Sequence, residues 1–396
     1  MASDKIRVLE VLDTYFPSFD GPTILINNYA KCMVKREDTE VEIMVPKYPK
    51  YQDKDNFPVH RIKSIGAAET YRCAVPFLQC KSKKVIKRKE NPFDIVHVHS
   101  PFVLGLHAIK VAKKKGIPSV ITLHTRFKED FDRILKSKAL RKFMMNYIMK
   151  AFKKADYIVC VSDGTVDTLR SYGYKGDNVK VIRNGTDLLY PENAEELKKQ
   201  VYERENLTGD ENIFLSVGRI VENKKLQLAL NSLKIVKEKG VDFKYLIVGA
   251  GSFEEQLKQM VKDLGLEENV KFTGKIMDRK LLAGYYLASD LFLFPSTYDT
   301  ASLAPIEAAA LKLPSLMQKG CSTAEIINDG VNGFLAEENA DAWAEKIIEI
   351  IKNKDSLKDT KEKAFKEVYR TWDSVVDEMV GFYREVISEY KSKKTK

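Results

Sequence analysis

The stretch SDLFLFPSTYDTASLAPIEAAALKLPSLM, Ser289 to Met317, decides the fold. It begins with a short apolar strand, Leu291–Phe294, that ends at Pro295, and closes with a second, Ser315–Met317. Between them a helix is expected to begin near Ser302 or Leu303, with Ser302 as N-cap and Pro305 tolerated in the first turn. Asp299 then stands on the loop and Glu307 about one turn into the helix. Strands this short and apolar, joined through a helix, belong to a parallel sheet covered on both faces.

Outward from this unit the same alternation repeats. In the first half the expected strands are Ile6–Leu12, Val41–Val45, Val59–Ser64, Ile95–His99, Ser119–Leu123, Tyr157–Val161 and Val179–Ile182. In the second they are Ile213–Val217, Tyr245–Val248, Val270–Thr273, Leu291–Phe294, Ser315–Met317 and Gly333–Leu335. Amphipathic segments separate them, so the class is α/β with doubly wound sheets. The polar run DLLYPENAEELKKQVYERENLTGDEN reads as a linker plus a helix that opens a second domain. The expected organisation is 1–190, 191–370 and a closing helix, 371–396. That helix carries an apolar stripe at Val375, Val376, Met379, Val380, Tyr383, Val386, Ile387 and Tyr390, which must pack on something. The lysine-rich end, KSKKTK, is expected to fray.

At 396 residues, 44% apolar and 31% charged, the chain is globular rather than disordered. It holds no apolar run long enough to span a bilayer, and MASDKIRVLEVL runs straight into a strand pattern rather than a signal peptide. Cys32, Cys73, Cys80, Cys160 and Cys321 are odd in number and scattered, without a CxxC pair. A reduced cytoplasm and no zinc site are expected. The net charge of +10 is uneven. Residues 1–190 hold 35 basic and 21 acidic side chains, and residues 191–396 hold 31 and 35. The densest run is KSKKVIKRK, with Lys81, Lys83, Lys84, Lys87, Arg88 and Lys89. Lys136, Lys138, Arg141 and Lys142 lead into FMMNYIMKAF, rich in methionine and aromatics. Either this is a solvated lysine face, or the first half meets an anionic partner such as phospholipid, nucleic acid or a charged acceptor.

In two doubly wound domains a ligand lies at the carboxyl ends of the strands. Gly218 makes a tight turn there, followed by Arg219 and Lys224, a fork and a point charge suited to a diphosphate or simply surface cations. Gly249 and Gly251 permit close backbone approach, but Glu254 fills the third glycine position of a dinucleotide fingerprint, so a plain turn competes. The unpaired N–H groups near Ser302 suit an anion, and Asp299 and Glu307 beside them suit sugar hydroxyls. A hydrolytic carboxylate pair and ordinary polar residues are the alternatives. His124 follows a first-half strand and is either a hydrogen-bond donor to a sugar or a satisfied histidine. His97 and His99 read as mainly structural. Gly21 lets backbone approach a ligand, with Asp13 at the first strand's end.

Several of these segments resemble the family-4 retaining glycosyltransferases in order and spacing. They are SVGRIVENKK, IVGAGSFEEQLKQM, FTGKIMDRKLLAGYYLASDLFLFPSTYDTASLAPIEAAALKLPSL and AEIINDGVNGFL, with IRNGTD and TLHT in the first half. The resemblance implies the GT-B architecture, two Rossmann-like domains facing a central cleft, with the closing helix crossing back to the first. It implies a first domain for the acceptor and a second for the nucleotide sugar. Arg219 and Lys224 would hold the diphosphate, Asp299 the donor sugar, and Glu307 the ribose. The backbone at Ser302 and Leu303 would hold phosphate and sugar, Met277 would lie at the base, and His124 near the transferred sugar. Gly21, Gly218, Arg219, Lys224, Gly249, Met277, Asp299, Ser302, Leu303 and Glu307 form the expected donor set, and His124, Arg219, Lys224 and Asp299 the expected catalytic set. The sequence departs from the family pattern in three places. Asp299 replaces a glutamate, TASLA lacks the usual glycines, and Gly21-Pro22 replaces a Gly-Gly loop.

YDTASLAPIEAAA with HTRFKEDF is most similar to bacterial diacylglycerol glucosyltransferases. The implied reaction moves a hexose, glucose from UDP-glucose, to a lipid hydroxyl with retention, on the inner face of the plasma membrane. The expected partners are nucleotide sugar, acceptor lipid or saccharide and an anionic membrane surface, with no nucleic acid. No cofactor and no metal ligand are expected beyond the sugar donor. A polysaccharide or soluble acceptor, a glycoside hydrolase and a non-enzymatic binding protein are the alternatives.

Overall fold

The structure is a computed structural model and describes residues 5–18, 20–66, 72–75 and 81–395. Cys80, Phe19 of the first-strand loop and Lys396 of the tail lie outside the described residues. The chain divides into two units, Met1–Arg183 with Trp372–Lys396, and Asn184–Thr371.

The first unit runs β1 (Ile6–Val11), α1 (Gly21–Val34), β2 (Thr39–Pro46), β3 (Val59–Ile62), β4 (Ser64–Gly66), β5 (Arg72–Ala74), α2 (Lys81–Ile86), β6 (Ile95–Val98), α3 (Val103–Lys115), β7 (Ser119–Leu123), α4 (Phe127–Ile134), α5 (Lys138–Phe152), β8 (Tyr157–Cys160), α6 (Asp163–Ser171) and β9 (Val179–Val181). Seven strands form one parallel sheet in the order β3-β2-β1-β6-β7-β8-β9. Every residue of β6 and β7 is buried, as helices on both faces require. The expected strand Val59–Ser64 breaks at Lys63. Its first part joins the large sheet, and its end pairs antiparallel with β5. Three-residue strands such as β4 and β5 are too short to carry a periodic signal.

The helices start where local chemistry allows. Asp20 caps α1, its carboxylate accepting from Thr23 N at 2.9 Å, and Pro22 fits the first turn. Ser137 caps α5, which buries Ile148, Met149, Ala151 and Phe152 but leaves its first two turns outside the core. The basic run does not form one helix through Lys89, since α2 stops at Ile86.

The second unit runs α7 (Ala194–Glu205), β10 (Asn212–Val217), α8 (Leu226–Glu238), β11 (Phe243–Val248), α9 (Glu254–Asp263), β12 (Val270–Gly274), α10 (Arg279–Ala288), β13 (Leu291–Phe294), α11 (Ala304–Ala310), β14 (Ser315–Gln318), β15 (Phe334–Ala336), α12 (Ala340–Lys352) and α13 (Lys354–Glu367). Its parallel sheet has the order β12-β11-β10-β13-β14-β15. Each sheet therefore reverses its winding once, beside β1 and β6 or beside β10 and β13, and such a reversal is where doubly wound folds take ligands.

The closing helix α14 (Trp372–Thr395) belongs to the first unit and packs on α1. Val375, Val376, Met379, Val380 and Tyr383 are fully buried, and each such side chain contributes about 1.5–3 kcal/mol. Fraying at Lys391 is not observed. The helix continues to Thr395, and Lys394 Nζ donates to the carbonyl of Gly116 at 2.8 Å, at the end of α3.

Candidate functional site

In the second unit the expected donor residues follow four strands, Gly218, Arg219 and Lys224 after β10, Gly249 after β11, Met277 after β12, and Asp299, Ser302, Leu303 and Glu307 after β13. Gly218 follows β10 with φ +150, a region that favours glycine, and its N–H bonds the Val248 carbonyl at 3.0 Å. Gly249 has a packing reason of its own. A Cβ there would stand 1.8 Å from the Gly218 carbonyl oxygen. Arg219 is exposed, while Lys224 ends a single 3-10 turn, Glu222–Lys224.

The Lys224 ammonium donates to both oxygens of Asp299, at 2.6 and 2.7 Å, with each side chain 18% exposed. The sequence treated these residues as two separate grips on a ligand, but here they grip each other. The loop carrying Asp299 is held by its own backbone. Thr323 Oγ1 donates to the Asp299 carbonyl at 3.1 Å, and Asn184 Nδ2 to that of Ala301 at 3.0 Å.

Ser302 is not the N-cap. The first helical bond runs from Glu307 N to the Leu303 carbonyl at 2.9 Å, which makes Leu303 the cap, with no side-chain hydrogen bond. The helix α11 has only seven residues, so any anion here depends on cations and loop backbone.

Glu307 is buried and held by two groups that the sequence did not single out. Arg279 donates to one carboxylate oxygen at 2.9 Å and the Tyr286 hydroxyl to the other at 2.9 Å. Arg279 also pairs with Asp187. Burial opposes its charge, but Glu307 and Asp187 outweigh burial and hold it above its ordinary range. Burial, reinforced by Glu307, keeps the Tyr286 hydroxyl protonated and a donor. Met277, just before α10, is 60% exposed.

Asp299 and Glu307 are thus neutralised by different cations rather than paired with each other.

The first unit holds His124 in a buried chain. Glu10 Oε2 meets His99 Nε2 at 2.6 Å, and His99 Nδ1 meets His124 Nε2 at 3.0 Å. The Tyr383 hydroxyl donates to Glu10 Oε1 at 3.1 Å, and His97 bridges Tyr383 and Thr122 at 2.6 Å each. Burial would raise the Glu10 carboxyl, but His97 and His99 override it and keep Glu10 ionised. Burial, with His97 adding to it, pushes His99 down to about 4, so it is neutral. His124 is pushed well down by burial, then by His99 and His97.

These states fix the protons. An ionised carboxylate only accepts, so His99 Nε2 donates to it. The neutral His99 then accepts at Nδ1, and His124 must donate from Nε2 and carry no proton on Nδ1. His124 is thus tied to the Glu10–His99 pair through its Nε2.

Glu10, His97 and His99 bring three potential metal-ligand atoms within 4.8 Å of one another. Their atoms are already bonded to Tyr383, Thr122, His124 and each other, which describes a hydrogen-bond network.

Other expected residues lie elsewhere in this unit. Gly21 opens α1 and is exposed, with nothing within 4 Å of an added Cβ. Asp13 accepts from the N–H groups of Leu104 and Gly105 and from the Ser100 hydroxyl, so it caps α3. Lys81, Lys83, Lys84, Lys87 and Lys89 are exposed. Arg88 is not part of that surface. Its guanidinium binds Glu42 at 2.7 Å and the Asn91 carbonyl at 2.6 Å, and lies 3.9 Å over the Phe93 ring.

Comparison with known proteins gives two family matches. Residues 19–189 match Glycosyltransferase Family 4, and residues 197–367 match Glycosyl transferases group 1. The alpha-monoglucosyldiacylglycerol synthase of Streptococcus pneumoniae is 27% identical over 343 residues, covering 83% of this chain and 75% of that protein. The N-acetyl-alpha-D-glucosaminyl L-malate synthase of Bacillus anthracis is 24% identical over 98% of this chain and 99% of its own length. Among solved structures, Anabaena HepE in complex with UDP superposes with a TM-score of 0.74 at 18% identity, over 96% of this chain and 100% of that one.

Proposed function

The chain belongs to the family-4 glycosyltransferases and has the GT-B fold, and on that premise we propose that it moves glucose from UDP-glucose to a hydroxyl of a diacylglycerol-type lipid, with retention at the anomeric carbon. The observation that carries this proposal is the set of cations and carboxylates at the winding reversal of the second unit, Arg219, Lys224 with Asp299, and Arg279 with Glu307. A diphosphate flanked by sugars needs both kinds of group, and a hydrolase needs no cations there.

The cavity bounded by Gly218, Arg219, Lys224, Phe294 and Ser296 measures only about 20 Å³. A diphosphate entering there draws Lys224 away from Asp299. The freed Asp299 then accepts hydrogen bonds from the hexose, while Glu307, oriented by Arg279 and Tyr286, accepts from the ribose diol. Met277 lies against the base. The acceptor oxygen attacks the anomeric carbon as the bond from that carbon to the phosphate oxygen breaks, and UDP departs with the electron pair. The acceptor proton passes to the departing phosphate on the same face. Arg219 and Lys224 stabilise the charge that grows on it.

The name of the streptococcal relative supports a lipid acceptor, as do the exposed lysines of α2. No helix among the described residues is long and apolar enough to cross a membrane, so contact with the bilayer is peripheral in this proposal. The test is a UDP-release screen of nucleotide sugars with vesicles containing diacylglycerol. Release with UDP-glucose that requires the lipid supports it. Release that requires only a soluble saccharide overturns the lipid part.

A further inference from the structure

Beside the ends of β1, β6 and β7, wholly within the first unit, lies a cavity of about 630 Å³. This is within the size range of small-molecule sites, roughly 300–1,000 Å³. Its walls are mostly apolar. Phe102 and Val103 come from the start of α3, Phe127 from the start of α4, and Phe143, Met144 and Tyr147 from the exposed half of α5. Asp13, Thr14, His99 and Ser100, which follow β1 and β6, give the lining its polar part.

We propose that this cavity binds the acyl chain of a membrane lipid, with the lipid's glycerol oxygens beside Thr14. The proposal rests on the lipid-acceptor reading above and names the part of the acceptor that the fold recognises.

Four observations select this occupant. First, the cavity sits where the sheet reverses its winding, the ligand position of such folds. Second, Thr14 Oγ1 is buried in this polar part with no hydrogen-bond partner, an arrangement that a ligand oxygen would relieve. Third, no cation among the described lining residues is available for a phosphate. The lining arginine, Arg72, is bonded to the hydroxyl and carbonyl of Ser64. Fourth, the apolar wall continues outward. Ile134, Leu140 and Phe143 are 66%, 44% and 62% exposed, and Lys136, Lys138 and Lys142 beside them are exposed too. Exposed apolar groups among lysines match the boundary between anionic headgroups and acyl chains. A chain leaving the bilayer at Phe143 enters the cavity without crossing water.

Binding is measured on the full protein with a monoacylglycerol carrying pyrene at the end of its chain. Two variants from separate elements change the cavity, Val103→Trp to fill it from α3 and Phe143→Ser to remove the apolar lip on α5. Phe143 is exposed, so that variant keeps its fold even if the first does not. The wild type is expected to bind one probe saturably, and affinity to rise about fourfold for each further methylene buried. Each variant loses tenfold or more, while affinity for UDP stays unchanged. Absence of saturable binding, or equal binding by both folded variants, overturns the proposal even if lipid is glucosylated. Saturable, variant-sensitive binding without glucosylation of any lipid supports the cavity and overturns the acceptor proposal instead.

Discussion

The two units share one winding and furnish it in opposite ways. At the reversal of the second sheet the loops present charge in tight pairs, Lys224 with Asp299 and Arg279 with Glu307, and Lys224 with Arg219 lines a cavity of about 20 Å³. At the reversal of the first sheet they present aromatic and aliphatic walls around about 630 Å³, with ionised Glu10 sealed behind His99. The topology is common to both, so the difference lies in the residues just after the strands. One end suits a charged, hydroxyl-rich donor, and the other suits an apolar acceptor.

The largest expected effect breaks the charged end alone. Arg219→Ala or Lys224→Ala lowers kcat by about 10²–10³ in UDP-release assays, because each removes charge stabilisation of the leaving diphosphate. Lipid-probe binding to the first unit stays as in the wild type. Turnover close to wild type would remove both residues from the mechanism.

Next comes Glu307→Gln. A hydrogen bond to a charged group contributes about 1.5–3 kcal/mol, so UDP affinity by calorimetry should fall roughly 10- to 100-fold. Asp299→Asn releases Lys224 and should change the preference among UDP-sugars more than it changes UDP affinity.

The first unit is probed by pH. His99 has a folded value of about 4 against an ordinary 6.5, so below 6.5 the unfolded chain takes up the proton first. Stability is fully present above 6.5 and is lost as pH falls toward 4, by about 1–3 kcal/mol. The depressed Glu10 carboxyl adds a loss of the same sign below its ordinary value of 4.5. Calorimetric Tm should therefore drop between pH 6.5 and 4. Replacing Glu10 by Gln should also move the His124 proton, read as a changed tautomer by ¹⁵N NMR. An unchanged tautomer would separate Glu10 from His124.

The smallest effects are at the surface. Lys83→Glu with Lys84→Glu should weaken sedimentation with anionic vesicles by about 1 kcal/mol per removed cation, and leave activity on a water-soluble acceptor unchanged. Vesicle binding as strong as wild type would exclude α2 from the membrane contact.

Much of this was legible in the sequence. Apolar runs such as Ser119–Leu123 and Leu291–Phe294 give their strands directly, because burial on both faces leaves no polar positions. The stripe from Val375 to Val386 gives the closing helix. What stayed hidden depends on long-range contact. Arg279 reaches Glu307 across 28 positions and Tyr383 reaches Glu10 across 373, and no spacing rule joins such pairs. Arg88 looked like one more surface cation within a basic run, yet Glu42 and Phe93 claim it. The His124 tautomer follows only once Glu10, His99 and Tyr383 are seen together. The apolar cavity draws on elements far apart in the chain, so only FMMNYIMKAF hinted at it.

The most direct test incubates the protein with UDP-glucose and diacylglycerol vesicles, and follows the lipid product by NMR at its anomeric proton. The account predicts UDP release matched by a glucosyl lipid with the anomeric configuration of the donor, and a Lys224→Ala variant that forms it about 10²–10³ times more slowly. An inverted product, or no UDP release with any nucleotide sugar in the presence of lipid, would contradict it.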